Sequence, residues 1–313
     1  MRNLIQFIAI IQLLYAVQAT ENWLSNAKQL VAGNRIQSST TSNEETSLVE
    51  EDGTDADLVE STIQRFLSSH PSKADKFYVQ GWRWHTLSLI RDSRRLEKYA
   101  IVVFQDATSC TRDNLDSLQK AAEHVINFNL KGLQRIENDV FFPWLREKLI
   151  NKDMDSTTKK AFQIVMDGVD RDRKQVEEIA LSIMLEIKVA TDPKSDAIAV
   201  ETAKTDIIRN SDLLSSMTAS IMNREDRFLV PGVMRVVPSK EQKSFNNKVL
   251  RNLGMFESRK HLIGMYDAVH DSMYGNEEEQ LLFVEQIPSV ARLMIGRWRK
   301  TLYDPAAGML DAR

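Results

Sequence analysis

Two short stretches of the chain, 88 residues apart, combine a carboxylate with a proline at the same spacing. The first runs from Glu137 to Pro143 and the second from Glu225 to Pro231, with an acid or amide after each Glu and three apolar residues before each Pro. Carboxylates on helices are common ligands for metal ions, and a proline in a helical pattern kinks or ends a regular segment. The pair therefore predicts one helical unit used twice, with a carboxylate at the same position in each copy.

Composition predicts the elements that must carry these carboxylates. The 313 residues are 42% apolar and include only 11 Gly and seven Pro, with helix-favouring residue types abundant, so we expect an all-α protein with a packed core. A net charge of −3 argues against nucleic-acid binding. The chain has no glycine-rich phosphate loop, nucleophile elbow or Cys/His zinc pattern, which disfavours nucleotide enzymes and hydrolases.

The N-terminus has the three parts of a secretory signal. Arg2 is the basic end, Leu4 to Val17 is the apolar run, and cleavage is expected after Ala19, so residues 1–19 are the predicted signal. Residues 20–56 are Ser/Thr-rich and then acidic, which predicts a flexible linker. We expect secretion, or the extracellular space as destination, with a plastid reached by a two-step signal as the alternative. No later stretch is expected to span a membrane.

Apolar residues recur at helical spacing through most of the remaining chain. A short helix is predicted to end at His70-Pro71, residues 101–113 are predicted as a connector, and four longer amphipathic helices are expected. These longer helices are predicted over residues 74–100, from Asp113 to the first Glu…Pro stretch, 156–190 and 195–236. Four such helices joined by short or moderate loops indicate an antiparallel four-helix bundle over residues 57–238. Shorter helices over 239–303 are expected to wrap around it as a C-terminal extension, followed by a loose tail over 304–313.

The segment around His85, followed by the two Glu…Pro stretches, resembles the hemerythrin-like (HHE cation-binding) family. The resemblance covers residues 77–234 and implies two helical hairpins around a non-haem di-iron centre. It also implies a metal site in which His85 is the first-helix ligand and Glu137 and Glu225 are the two carboxylates. The second-helix histidines of the family should lie three or four residues before each Glu, on the same helical face. The residues found there are Leu133, Gln134, Ile221 and Met222.

The ligand set is therefore incomplete, because borderline nitrogen and oxygen sites lose affinity when imidazoles become apolar side chains. The repeat offset of 52 residues that joins His85 to Glu137 leads from Glu225 back to Arg173, with Asp170 or Asp172 as nearby alternatives. We expect no cofactor, with Arg173 paired to the carboxylates in place of a metal. The alternative is a residual non-haem iron site at His85, Glu137 and Glu225 for O2, NO or iron handling.

The remaining features favour a binding or structural module over an enzyme, and no catalytic residue is predicted. His124 is expected at the surface or at a bundle edge, because it lies on a different helical face from Glu137. His261 and His270 are nine residues apart, face opposite ways and should not share a ligand. Trp298 lies among Arg297, Arg299 and Lys300, a basic aromatic helix that could meet an acidic partner or a lipid surface, although a solvated helix face is the simpler interpretation.

Overall fold

Helices form the regular structure of the described residues, which confirms the predicted all-α class for this part of the chain. The computed structural model describes residues 52–105, 108–150, 154–252, 254 and 257–311. The predicted signal and the linker up to residue 51 lie outside these residues. The single helices are α1 (Asp52–Ser69), α2 (Gln80–Phe104), α4 (Ser156–Thr191), α6 (Ser239–Asn252), α7 (Glu257–His270) and α8 (Glu277–Gln286).

Three further helices contain π-helical segments, in which the backbone hydrogen bond spans five residues instead of four. Helix α3 consists of the α-helical segments Arg112–Ala122, Lys131–Ile136 and Phe142–Leu149, joined by the π-helical segments Glu123–Leu130 and Glu137–Phe141. Helix α5 consists of Ala197–Arg224, the π-helical Glu225–Leu229 and Val230–Val236. Helix α9 consists of Ser289–Trp298, the π-helical Arg299–Tyr303 and Asp304–Ala307, and Gly308–Leu310 adds a 3-10 turn.

Several helix ends differ from the prediction for local reasons. Helix α1 begins at Asp52, inside the predicted linker. Helix α2 begins only at Gln80, because the preceding segment is tied to the end of α5: the amides of Lys73 and Ala74 both donate to the carbonyl of Met234. The apolar run predicted as part of a connector is instead the last turn of α2, where Val103 is buried.

The two prolines do not end their helices but follow a widened turn. Each π-helical segment begins at the repeated Glu, and the amides of Phe142 and Val230 donate to the carbonyls of Glu137 and Glu225, five residues back. Proline lacks an amide hydrogen and its ring crowds the carbonyl four residues before it, so the turn preceding it opens. The two copies of the predicted helical unit thus share the same local backbone structure, a π-helical turn that begins at the Glu.

Helix α2 lies between two groups of helices. It packs against α3 and α5 on the side of the repeated carboxylates, where the ring of Trp82 stacks on that of Phe141 with centroids 4.1 Å apart. Helix α5 also packs along α4, and α7 packs against α2. A Cβ atom added at Gly264 on α7 would lie 2.4 Å from the Ser88 hydroxyl oxygen, so glycine is needed for this close approach.

The C-terminal segment is ordered against the rest of the protein, and the predicted loose tail over 304–313 is wrong for residues 304–311. Ala307 and Leu310 are buried, and Asp311 forms ion pairs with Arg95 and Arg299. The apolar residues of this segment have no clear helical periodicity, so the sequence did not predict a helix here, yet they cover the core. The helices after Pro238 belong to the same compact unit as those before it. Within the described residues, none of the helices is both long enough and apolar enough to cross a membrane.

Candidate functional site

The two repeated carboxylates meet at one small buried cavity. Glu137 is 4% exposed and Glu225 is fully buried. The cavity has a volume of about 20 Å³, enough for roughly one water molecule, since about 10–15 Å³ suffices for one. Residues from α2, α3, α4 and α5 line it, including Thr86, Gln134 and Arg173. Both repeated carboxylates therefore lie in the interior of the protein.

Arg173 supplies the positive charge at this site. Its Nε donates to Oε2 of Glu137 at 2.8 Å, and its side chain is only 12% exposed. The second carboxylate oxygen of Glu137 accepts a hydrogen bond from the indole nitrogen of Trp82 at 3.2 Å. The guanidinium also lies over the ring of Phe142, 4.6 Å from its centroid. Glu137 is thus a partnered carboxylate, with both oxygens engaged by protein donors.

Glu225 is in a different electrostatic position from Glu137. Neither of its carboxylate oxygens has a hydrogen-bond partner in the protein. Burial and the neighbouring charge of Glu137 raise the pKa of Glu225 well above its usual value, and Arg173 only partly opposes this. Burial also raises the pKa of Glu137, against the direct effect of Arg173. Of the two carboxyls, Glu225 therefore binds its proton more tightly, because Arg173 and Trp82 donate only to Glu137.

The residue after each repeated Glu is also bound by an arginine, and the two units exchange these partners. Asn138 accepts a hydrogen bond at 2.8 Å from Arg173 on α4. Asp226 accepts two from Arg83 on α2, at 3.1 and 2.9 Å. The first unit is therefore hydrogen-bonded by an arginine from the second half of the chain, and the second unit by an arginine from the first half. We call these two interactions the arginine clamps.

A di-iron centre does not fit the residues that line this cavity. Leu133, Gln134 and Ile221 line it, but Met222, the fourth position where the resemblance places an imidazole, does not. Of the three that line it, only Gln134 offers a polar donor. The donor set is two carboxylates, one amide and two hydroxyls, and Arg173 occupies one carboxylate with a cation of the protein's own. Within the described residues, no three His, Cys, Asp or Glu side chains are grouped so that they could hold a metal ion.

His85 lies elsewhere and is not part of the cavity. It lies on α2, one residue before Thr86, which lines the cavity, and one residue turns a helix by about 100°. Its ring is fully buried and lies 4.4 Å, centroid to centroid, from the ring of His261 on α7. Burial lowers the pKa of His85 to about 4, so the imidazole is neutral near pH 7. The role of His85 as a metal ligand beside Glu137 and Glu225 stays a prediction that these positions do not support.

Two other histidines also surround this region. His124 was expected at the surface or at a bundle edge but is 4% exposed, because Tyr303 and Phe128 cover it. Its Nε2 lies 3.6 Å from a carboxylate oxygen of Asp92, which is fully buried on α2. His261 is buried and His270 is exposed, in line with their opposite directions. Sequence periodicity could not show that α7 and the C-terminal segment cover this side of α2.

Comparison of the chain with protein-family models, with curated proteins and with solved structures found no match.

The raised pKa of Glu225 predicts a pH-dependent stability difference for Glu225→Gln. The folded-state pKa lies above the usual 4.5, so the stabilisation is complete below about that pH and is lost as the pH rises toward the folded pKa. Because the amide of the variant cannot ionise, the variant does not lose stability in this way as the pH rises. We therefore expect the free energy of unfolding of the variant, relative to wild type, to increase from about pH 4.5 to about pH 7.5 in urea titrations.

A matched control is Glu147→Gln, because that side chain is 68% exposed. Its difference from wild type at each pH value measures the effect of removing one exposed carboxylate, and the Glu225→Gln difference is compared with it. A Glu225→Gln difference that stays constant across this range would mean that the carboxyl is ionised in the folded protein, contrary to the prediction.

Proposed function

We propose that the chain is an exported, hemerythrin-like protein in which α2, α3, α4 and α5 form an antiparallel four-helix bundle, and that it acts as a binding or structural module. The duplicated Glu-to-Pro turns and the arginine clamps exchanged between the two units support this arrangement. We propose the secretory pathway or the extracellular space as its location, with a plastid as the alternative.

The observation that carries this proposal is the ion pair of Arg173 with Glu137. A guanidinium next to a carboxylate gives the interior the positive charge that a metal ion would otherwise supply, with directional hydrogen bonds that fix the side chains. Protonation of Glu225 removes the second negative charge from the cavity. The helices are then held around a neutralised polar centre without a cofactor.

The alternative is a residual non-haem iron site for O2, NO or iron handling. Its support is that Glu137 and Glu225 share one cavity. Against it, His85 would have to move from its place beside His261, and Arg173 would have to release Glu137. The metal-free module is therefore the function that the geometry supports better.

Iron analysis of the purified protein tests the proposal. Produced with iron available, the chain from residue 20 onward should contain iron far below one ion per chain and show no charge-transfer band in its optical spectrum. The double variant Glu137→Gln, Glu225→Gln should have the same low iron content. Stoichiometric iron in the wild type that disappears in the double variant would overturn the proposal in favour of the iron alternative.

The partner surface that we propose for this module is the outward face of α9. Val290 and Leu293 are 71% and 83% exposed, and Arg297 and Lys300 continue the same face at helical spacing. Arg299 does not belong to it, because its guanidinium pairs with the buried carboxylate of Asp267. Apolar residues followed by cations fit an anionic lipid surface, where the former enter the headgroup boundary and the latter meet phosphates.

Vesicle flotation tests this surface. The wild type should float with vesicles of phosphatidylcholine and phosphatidylserine and much less with phosphatidylcholine alone, and added salt should weaken the binding. The variant Val290→Glu, Leu293→Glu should lose binding, whereas Ile198→Glu, at a site 81% exposed on α5, should not. No flotation of the wild type would exclude a lipid partner and leave an acidic protein as the partner to seek.

A further inference from the structure

A second buried polar cluster lies where α2, α3 and α7 meet, apart from the carboxylate cavity. Its members are His85 on α2, Asn129 in the π-helical part of α3 and His261 on α7, each at most 3% exposed. The rings of His85 and His261 are 4.4 Å apart, centroid to centroid. His261 also stacks on the ring of Phe128, the residue before Asn129, at 4.0 Å. Three helices thus bring two imidazoles and an amide together in the interior.

The cluster contains ligand atoms that lack hydrogen bonds of regular geometry within the protein. These are both ring nitrogens of His85, both of His261 and the side-chain oxygen of Asn129, and the side chain and backbone of Asn129 lie within reach of the His85 ring. Buried polar atoms are nearly always hydrogen-bonded or bound to an ion or water. Five such atoms on three adjacent residues therefore indicate a ligand with affinity for imidazole nitrogen and amide oxygen.

The amide of Asn129 is held by its nitrogen. That nitrogen donates to the hydroxyl of Ser88 at 3.2 Å and to the buried carboxylate of Asp92 at 3.3 Å. Because both bonds use the donor end, the oxygen is left as the atom available to a cation. Asp92 adds a nearby negative charge without lying among the donors, which is a common arrangement around metal ligands.

The backbone of α3 also leaves room for the two imidazoles. A Cβ atom added at Gly132 would lie 2.7 Å from Nε2 of His261 and 3.3 Å from Cε1 of His85. Two imidazoles on one tetrahedral ion, with metal–nitrogen distances of about 2.0–2.1 Å, have ring centroids about 5 Å apart. The observed 4.4 Å needs only a small outward shift of the rings.

We propose that His85, His261 and Asn129 form a binding site for a divalent transition-metal ion of the zinc class. Two neutral imidazoles and an amide oxygen are donors that such borderline ions accept, and three protein donors leave a fourth position for water or an external ligand. This site is separate from the carboxylate cavity and uses α7, which lies outside the four helices of the proposed bundle. His124 does not belong to it, because its ring lies against Phe128 and Tyr303 and beside Asp92.

Zinc and cobalt titrations of the full chain, stripped of metal by a chelator, test this site. Calorimetry should find one Zn²⁺ bound per chain, and Co²⁺ should give visible absorption bands of a nitrogen- and oxygen-bound ion. His261→Gln and, separately, Asn129→Ala should weaken Zn²⁺ binding at least tenfold and remove the Co²⁺ bands. The control His270→Gln changes an exposed histidine on the same helix and should leave both unchanged.

A second type of variant addresses folding. Gly132→Ala keeps every donor but places a methyl group against His261, so it should also weaken Zn²⁺ binding, with circular dichroism confirming that the helices remain. Absence of Zn²⁺ binding in the wild type, or binding unchanged in both His261→Gln and Asn129→Ala, would overturn the proposal. If Zn²⁺ binding is lost only in the double variant Glu137→Gln, Glu225→Gln, the ion binds at the carboxylate cavity. That outcome would contradict both the proposed zinc site and the metal-free module.

Discussion

The buried ion pair between Arg173 and Glu137 is the interaction on which the interior depends. Two carboxylates at 0–4% exposure cannot both stay ionised next to each other without a compensating cation. The guanidinium compensates Glu137 directly, whereas burial and the charge of Glu137 raise the pKa of Glu225, which favours its protonated form. The bundle proposed for this chain therefore needs an arginine at this position, or an ion in its place, to be stable with both acids inside.

The backbone supports this pair by a device that occurs twice. In α3 and α5 a widened turn begins at the repeated Glu and ends just before a proline, so that both carboxylates leave the helix in the same way and meet at one cavity. The arginines on α2 and α4 then bind the residue after each Glu across the two halves. Helix α2 has a second role, because its other side carries His85 and Asp92 toward α7 and the C-terminal segment. One helix thus separates a charged centre from a cluster of neutral imidazoles.

Part of this arrangement could be predicted from the sequence. Composition predicted the all-α class, and helical periodicity predicted the bounds of α4 and α5 to within a few residues. The spacing between His85 and Glu137, applied to Glu225, led to Arg173, which does bind Glu137. The surroundings of His85 and His124 could not be predicted in this way. Which residues cover a helix face depends on segments far along the chain, here α7 and Tyr303, and the π-helical turns of α3 shift every face predicted at 100° per residue. Likewise, the residues after 303 pack through a few small apolar side chains that carry no period.

A double-mutant cycle between Arg173 and Glu137 tests the central claim most directly. The free energies of unfolding of Arg173→Met, Glu137→Gln and the double variant would be measured against wild type in urea, with a chelator present. A hydrogen-bonded ion pair in the interior predicts a coupling energy of about 1.5–3 kcal/mol. Effects that add to within about 0.5 kcal/mol would show that the two side chains do not depend on each other. That result would contradict a bundle whose centre is held by its own arginine.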